Sequence, residues 1–123
     1  MTRAYGLDLP DSPLISPNDR AHWSKRAECA QVWRTASRLL AKQARIPRMD
    51  RISVSLDHWP KTKRRQDTDR ISLVAKWCVD GIVDAGVVDD DDSTHVPEVV
   101  LRMHPPRADK QPTWLLTITE LAP

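Results

Sequence analysis

A chain of 123 residues has the length of one domain, with room for a single core. Its 19 basic and 17 acidic side chains leave a net charge of only +2, so bulk charge does not mark a nucleic-acid binder. No apolar run is long enough to span a bilayer, and Met1 to Leu9 contains no apolar signal core. A soluble, cytoplasmic protein with no membrane partner is therefore expected, with Cys29 and Cys78 as free thiols in a reducing compartment.

Tyr5, Leu7 and Leu9 alternate with Gly6 and Asp8, as in a first strand. Pro10, Pro13 and Pro17 interrupt regular structure, and a long helix is expected from Asp19 to Arg45. Cys29, Val32, Trp33, Ala36, Leu39 and Leu40 make its apolar stripe. Arg34, Arg38, Lys42 and Arg45 recur on another face, which is either solvated or turned toward DNA. Ile52, Val54 and Leu56 alternate into a second strand that ends at Trp59-Pro60. The basic segment Lys61-x-Lys63-Arg64-Arg65 follows, then a second helix from Ile71 to Ala85, with Gly86 as its C′ residue. Val99, Leu101 and Met103 form a third strand, and Trp114, Leu116 and Ile118 a fourth, joined by a hairpin-type loop over His104 to Pro112. The order β-α-β-α-β-β predicts a single α+β domain over residues 1–123, with a mixed sheet packed by two helices. With five Trp and no Phe, Trp23, Trp33, Trp59, Trp77 and Trp114 are expected to supply much of the core, Trp59 and Trp77 as packing groups rather than base-stacking platforms.

The chemistry of the chain is concentrated between Arg64 and Asp92. Asp67 and Asp69 lie two apart, and on an extended backbone both would face the same side. They can serve one metal ion, or cap the helix that follows. Lys76 comes next, then the acidic block Asp89 to Asp92, which is either a solvated loop or part of the same site. Like charges about 4 Å apart repel by roughly 4 kcal/mol at an effective dielectric near 20, so converging carboxylates call for a cation. Mg²⁺ fits oxygen ligands of this kind. The block is not an EF-hand, because its Gly and closing Glu are missing. A helix of about 20 Å, followed by a return segment spanning at most about 20 Å, lets Asp91 reach Asp69 only if the chain doubles straight back or the helix begins late. Otherwise the acidic block completes a site across a dimer. His22, His58, His95 and His104 form no metal-ligand spacing, and His22 and His58 are read as packing or surface groups.

Several elements then match a known family in order: Pro17-Asn18-Asp19-Arg20 with His22-Trp23, Arg64-Arg65-Gln66-Asp67-Thr68-Asp69-Arg70, Lys76, Asp80-Gly81-Ile82-Val83-Asp84-Ala85-Gly86-Val87, the Asp89 to Asp92 block, and Leu115-Leu116-Thr117-Ile118-Thr119. The chain resembles the RusA family of Holliday-junction resolvases, in its phage and actinobacterial form, from Leu7 to Leu121. The resemblance implies a homodimeric, Mg²⁺-dependent endodeoxyribonuclease that nicks four-way DNA junctions symmetrically in recombination and repair. It implies that Asp67, Asp69 and Asp91 bind the metal, with Asp90 as the alternative to Asp91, and that Lys76 assists at the scissile phosphate. Lys61, Lys63, Arg64, Arg65 and Arg70 would hold the DNA backbone. Three departures stand out: Arg70 replaces the usual Asn, Gln66 replaces a third Arg, and Leu73 replaces a Pro at the helix entry. Arg70 could hold a phosphate or pair with Asp69 against the metal. A silenced junction-binding dimer and a nuclease for other branched DNA are the competing expectations. A structural or regulatory protein with a merely solvated acidic loop is another.

Overall fold

A computed structural model describes residues 2–12, 23–63 and 68–122. The elements run β1 (Ala4–Leu9), α1 (Trp23–Gln43), β2 (Ile52–Trp59), α2 (Thr68–Asp84), β3 (Glu98–Met103) and β4 (Thr113–Glu120). This is the expected β-α-β-α-β-β order. The sheet is mixed, in the order β1-β4-β2-β3: β4 runs antiparallel to both neighbours, and β2 pairs parallel with β3. The expected hairpin between β3 and β4 is therefore absent. The β2-α2-β3 crossover lays β3 on one side of β2, and β4 inserts on the other side, next to β1. The segment from His104 to Pro112 thus carries the chain past the end of β2.

Strand alternation builds three apolar rows across the sheet. In register, Leu7, Leu116, Leu56 and Leu101 form one, Tyr5, Ile118, Val54 and Val99 another, and Leu9, Trp114, His58 and Met103 the third. Burial is nearly complete in β2 and β4 and fails at β3, where Val99 is 46 % exposed. Trp33, Ile71, Val74, Cys78 and Ile82 cover these rows from the helices. Trp33 meets Trp114 edge-on, with ring centroids 4.8 Å apart.

The buried stripe of α1 is narrower than expected. Cys29, Trp33, Ser37 and Ala41 recur every four residues and are buried, whereas Val32 and Leu39 lie exposed. The reason is the close fit of α1 on α2. A Cβ at Gly81 would fall 2.3 Å from the Arg34 carbonyl oxygen, so only glycine admits this separation. Ser37, buried at the same seam, donates its hydroxyl to the Trp33 carbonyl. Arg34 is not simply solvated: it grips Asp84 of α2 through two hydrogen bonds of 2.5 and 2.8 Å. That contact holds the Asp84 carboxyl below its ordinary range.

Both helices end in the same way. The Gly86 N–H donates to Val83 and the Val87 N–H to Ile82, with Gly86 at φ +84°. This left-handed cap at the expected C′ glycine places Val87 in the core. Arg45, at φ +55°, makes the equivalent cap on α1, its N–H donating to Lys42 and the Ile46 N–H to Ala41, so that helix stops at Gln43 rather than Arg45. The expected start at Asp19 falls outside the described residues. Trp33, Trp77 and Trp114 are buried as expected, whereas Trp59 is only half-buried, because it alternates with His58 onto the sheet face that the helices do not cover; the Trp23 side chain lies outside the described residues. Cys29 and Cys78 are free and buried, and burial pushes the Cys78 thiol up to about 12. Among the described residues, no helix is long and apolar enough to cross a membrane.

Candidate active-site cleft

The failure of burial at β3 leaves a cleft. A cavity of about 330 Å³ opens between α2 and the β3 edge, lined by Ser72, Ala75, Lys76, Val79, Val96, Val99, Leu101 and Asp91. Its floor is apolar, and its polar groups are the Ser72 hydroxyl, the Lys76 ammonium and the Asp91 carboxylate. Ser72 and Lys76 lie one turn apart, so helical spacing puts both on this face. The Lys76 Nζ lies 3.8 Å from Asp91 Oδ2.

Each aspartate of the acidic block has its own partner. Asp89 pairs with Arg48 at 2.5 Å. The Asp90 carboxylate accepts the Asp91 backbone N–H at 2.7 Å. Asp92 accepts both the backbone N–H of His95 at 3.0 Å and its Nδ1–H at 2.6 Å. These bonds hold the Asp92 carboxyl below its ordinary range and raise the His95 imidazole above its own. The His95 carbonyl in turn accepts the Ile52 N–H, which ties the loop to β2. The run of four is thus a braced loop that directs one carboxylate, Asp91, at α2. Asp91 thus faces Lys76, whereas Asp90 is turned back onto the backbone.

The other predicted site residues fall as follows. Asp67, Arg64 and Arg65 lie outside the described residues. Asp69 is the second residue of α2, because the helix begins at Thr68 rather than Ile71. The extended backbone expected to align Asp67 with Asp69 therefore does not hold at positions 68 and 69. Position 69 precedes Ser72 and Lys76 on one helix face at i, i+3 and i+7 spacing. Lys76 stands midway along α2, not early in it. The chain after Gly86 does double back, but it meets the helix at Lys76, two turns or about 10 Å along the axis from Asp69. Side chains on a helix lean toward its N-terminus, which brings the Lys76 head toward the Asp69 turn. Lys61 and Lys63 are exposed in the segment after β2. Arg70 is half-buried in the first turn of α2, and its Nε is buried with no hydrogen-bond acceptor. An orphaned guanidinium nitrogen of this kind is a ready donor to an oxyanion.

Among the described residues, no group of three or more His, Cys, Asp or Glu side chains converges as a metal site. Of the expected Mg²⁺ ligands, Asp91 and its alternative Asp90 have described side chains, and the Asp91 carboxylate that faces the cleft is the hard-oxygen donor such an ion takes.

Long-range pairing hid a second polar cluster from the sequence. At the far end of β2, Asp57 is buried and accepts His104 Nε2–H at 2.7 Å and an Arg102 N–H at 3.2 Å. The Trp59 indole stacks on His104, with centroids 4.2 Å apart and planes within 9°. Next to it, His58 stacks on Trp114 at 3.6 Å and donates Nδ1–H to the Thr113 carbonyl. Burial pushes the His58 imidazole below its ordinary value, so it is read correctly as a packing group. A period-2 pattern puts Asp57 and Arg102 on strands, but nothing local aligns them.

Comparisons with known proteins add little to this geometry. No protein-family model matches the chain. An uncharacterized protein of Xylella fastidiosa is 31 % identical over 90 residues, which cover 68 % of this chain; the match spans 59 % of that relative's length. The crystal structure of hydrogenase maturation protein HypE aligns with 98 % of this chain and 32 % of its own, at 12 % identity and a TM-score of 0.39, a likeness too weak to inform fold or function.

Proposed function

We propose that the chain is a Mg²⁺-dependent endodeoxyribonuclease of RusA-like type that nicks four-way DNA junctions, acting as a homodimer. The observation that carries this reading is the approach of Asp91 to Lys76 across an open cleft. It pairs a carboxylate that can take a metal with a cation that can take a phosphate, on the helix whose first turn carries Asp69. In this reading Asp67, Asp69 and Asp91 hold the metal. A bound Mg²⁺ supplies an acidified water and neutralises charge on the phosphate oxygens. Lys76 stabilises the negative charge that develops at phosphorus as a fixed point charge. Arg70, in the first turn of α2, would add a cation to the DNA-binding surface, and Lys61, Lys63, Arg64 and Arg65 position the backbone without reading sequence. Two such sites related by a C₂ axis would suit a substrate with two-fold symmetry.

Arg70 also supports a second reading. A cation in the first turn of α2 beside Asp69 weakens a metal site, and the chain would then bind junctions without cutting them. A labelled four-way junction, incubated with and without Mg²⁺ beside a linear duplex of the same sequence, separates the two. Paired symmetric nicks on the junction alone, and only with Mg²⁺, are expected. Junction binding without nicks under any divalent metal overturns the nuclease reading in favour of the silenced one. Nicks confined to flaps or forks would move the substrate to other branched DNA.

A further inference from the structure

The sheet end beyond Trp59 carries a feature that the cleft does not use. A groove of about 420 Å³ is lined by Trp59, Pro105, Pro106, Arg107, Ala108 and Asp109. One face of the Trp59 indole is taken by His104, whose own ring is fixed by the buried Asp57 carboxylate. His104 is not among the groove's lining residues, so the groove takes the part of the indole that His104 leaves open. Pro105 and Pro106 line the groove with the indole, and their rings are as stiff as it is. Arg107 is braced at the rim by the Thr113 hydroxyl at 3.0 Å and Asp109 at 3.1 Å. The result is a flat slot whose walls lose little freedom when something enters it.

We infer that this groove takes an unpaired nucleobase of a DNA strand, stacked on Trp59, while the strand's phosphates lie on Lys61 and Lys63. Charge and position argue for this occupant. Lys61 and Lys63 follow Trp59 by two and four residues and are exposed. Arg107, which lines the groove, and Lys110 shortly after it are exposed as well. An aromatic platform between cations is what single strands bind, because every base has a π-face and every linkage a charge. The groove is joined to the cleft by the end of β3. Leu101 of the cleft and Pro105 of the groove are four residues apart, at most about 14 Å of chain. The inference rests on the proposal that the chain acts on branched DNA, and names the part of that substrate the slot would recognise.

The test is fluorescence anisotropy with two labelled probes at equal salt: a short mixed-sequence single strand, and an abasic strand of equal length. The wild-type protein is expected to prefer the strand with bases by about tenfold, the order that one base–aromatic stack carries. Trp59→Ala should lose this preference with abasic binding unchanged, and Trp59→Phe should keep most of it. Ala108→Trp fills the slot from an exposed position and leaves the Trp59–His104 stack alone, so it should abolish the preference even if Trp59→Ala does not fold. Asp91→Asn should retain it. Equal binding of both probes by the wild type, or a preference that survives both Trp59→Ala and Ala108→Trp, overturns the inference; with junction nicking intact, the nuclease reading still stands. No binding to either probe or to a four-way junction removes both.

Discussion

Two carboxylates of this chain stand in opposite circumstances. Asp57 is 11 % exposed and is bonded by His104 and Arg102 at 2.7 and 3.2 Å. Asp91 is 42 % exposed and has Lys76 at 3.8 Å, across an open cleft. A buried carboxylate with its bonds made is part of the fold, since leaving it unpaired would cost more than the bonds return. An exposed one with a single loose cation contributes little to stability and is available to a ligand. The contrast teaches where to look for chemistry: not where the acidic residues are most tightly bound, but where a braced backbone presents one that is not.

The widest break in the comparison comes at the helix seam. Gly81→Ala puts a Cβ against the Arg34 backbone, and overpacking against an atom that cannot rotate away should cost about 3 kcal/mol in a urea melt. Because α2 forms one wall of the cleft, junction nicking should fall with it. The Asp57 cluster is built by β2, β3 and the loop that follows β3 and should survive, which the Trp59 near-UV signal can report. Next in size is Asp57→Ala, which strips two partners of their acceptor and should cost about 2 kcal/mol. Asp91→Asn should shift stability by less than about 0.5 kcal/mol, as befits an exposed pair. Equal losses from the two aspartate substitutions would erase the distinction.

The smallest effect concerns the brace itself. The hydrogen bond to Asp92, helped by the charges of Asp89 and Asp90, raises the His95 imidazole above 6.5. The stabilising contact is therefore complete below about pH 6.5 and is lost as pH rises through the raised value. Asp92, held low by the same bond, stays ionised throughout that range. An NMR titration of His95 should give a midpoint above 6.5, and Asp92→Asn should lower it. An unshifted midpoint in the wild type would mean that the loop is not braced as described.

Much of the fold was legible because periodicity is local. The alternation in Ile52 to Leu56 and in Trp114 to Ile118, the 3.6-residue recurrence from Ile71 to Ala85 and the cap at Gly86 all appear as elements. What pairs with what was not local. Nothing in Val99 to Met103 says that β3 lies beside β2 rather than β4, so a hairpin was expected where a crossover stands. Val32 and Leu39 fit an apolar stripe by spacing, but the close approach at Gly81 narrows what α1 can bury. At the site, Lys76 and the acidic block could be named from sequence. That Asp90 bonds its neighbour's backbone while Asp91 faces the helix could not, since it depends on how the loop after Gly86 turns. Asp57, His104 and Trp59 come from separate segments, and no spacing links them.

The central claim is that the carboxylate facing Lys76 is the reactive one. It is tested most directly by single-turnover cleavage of a four-way junction with Mg²⁺, comparing the wild type with Asp91→Asn and Asp90→Asn, with junction affinity measured alongside. The account predicts that Asp91→Asn folds and binds the junction as the wild type does while cleavage falls at least about a hundredfold, about 2.7 kcal/mol of lost transition-state stabilisation. Asp90→Asn should cut near the wild-type rate. Undiminished cleavage by Asp91→Asn, or a loss confined to Asp90→Asn, would contradict it.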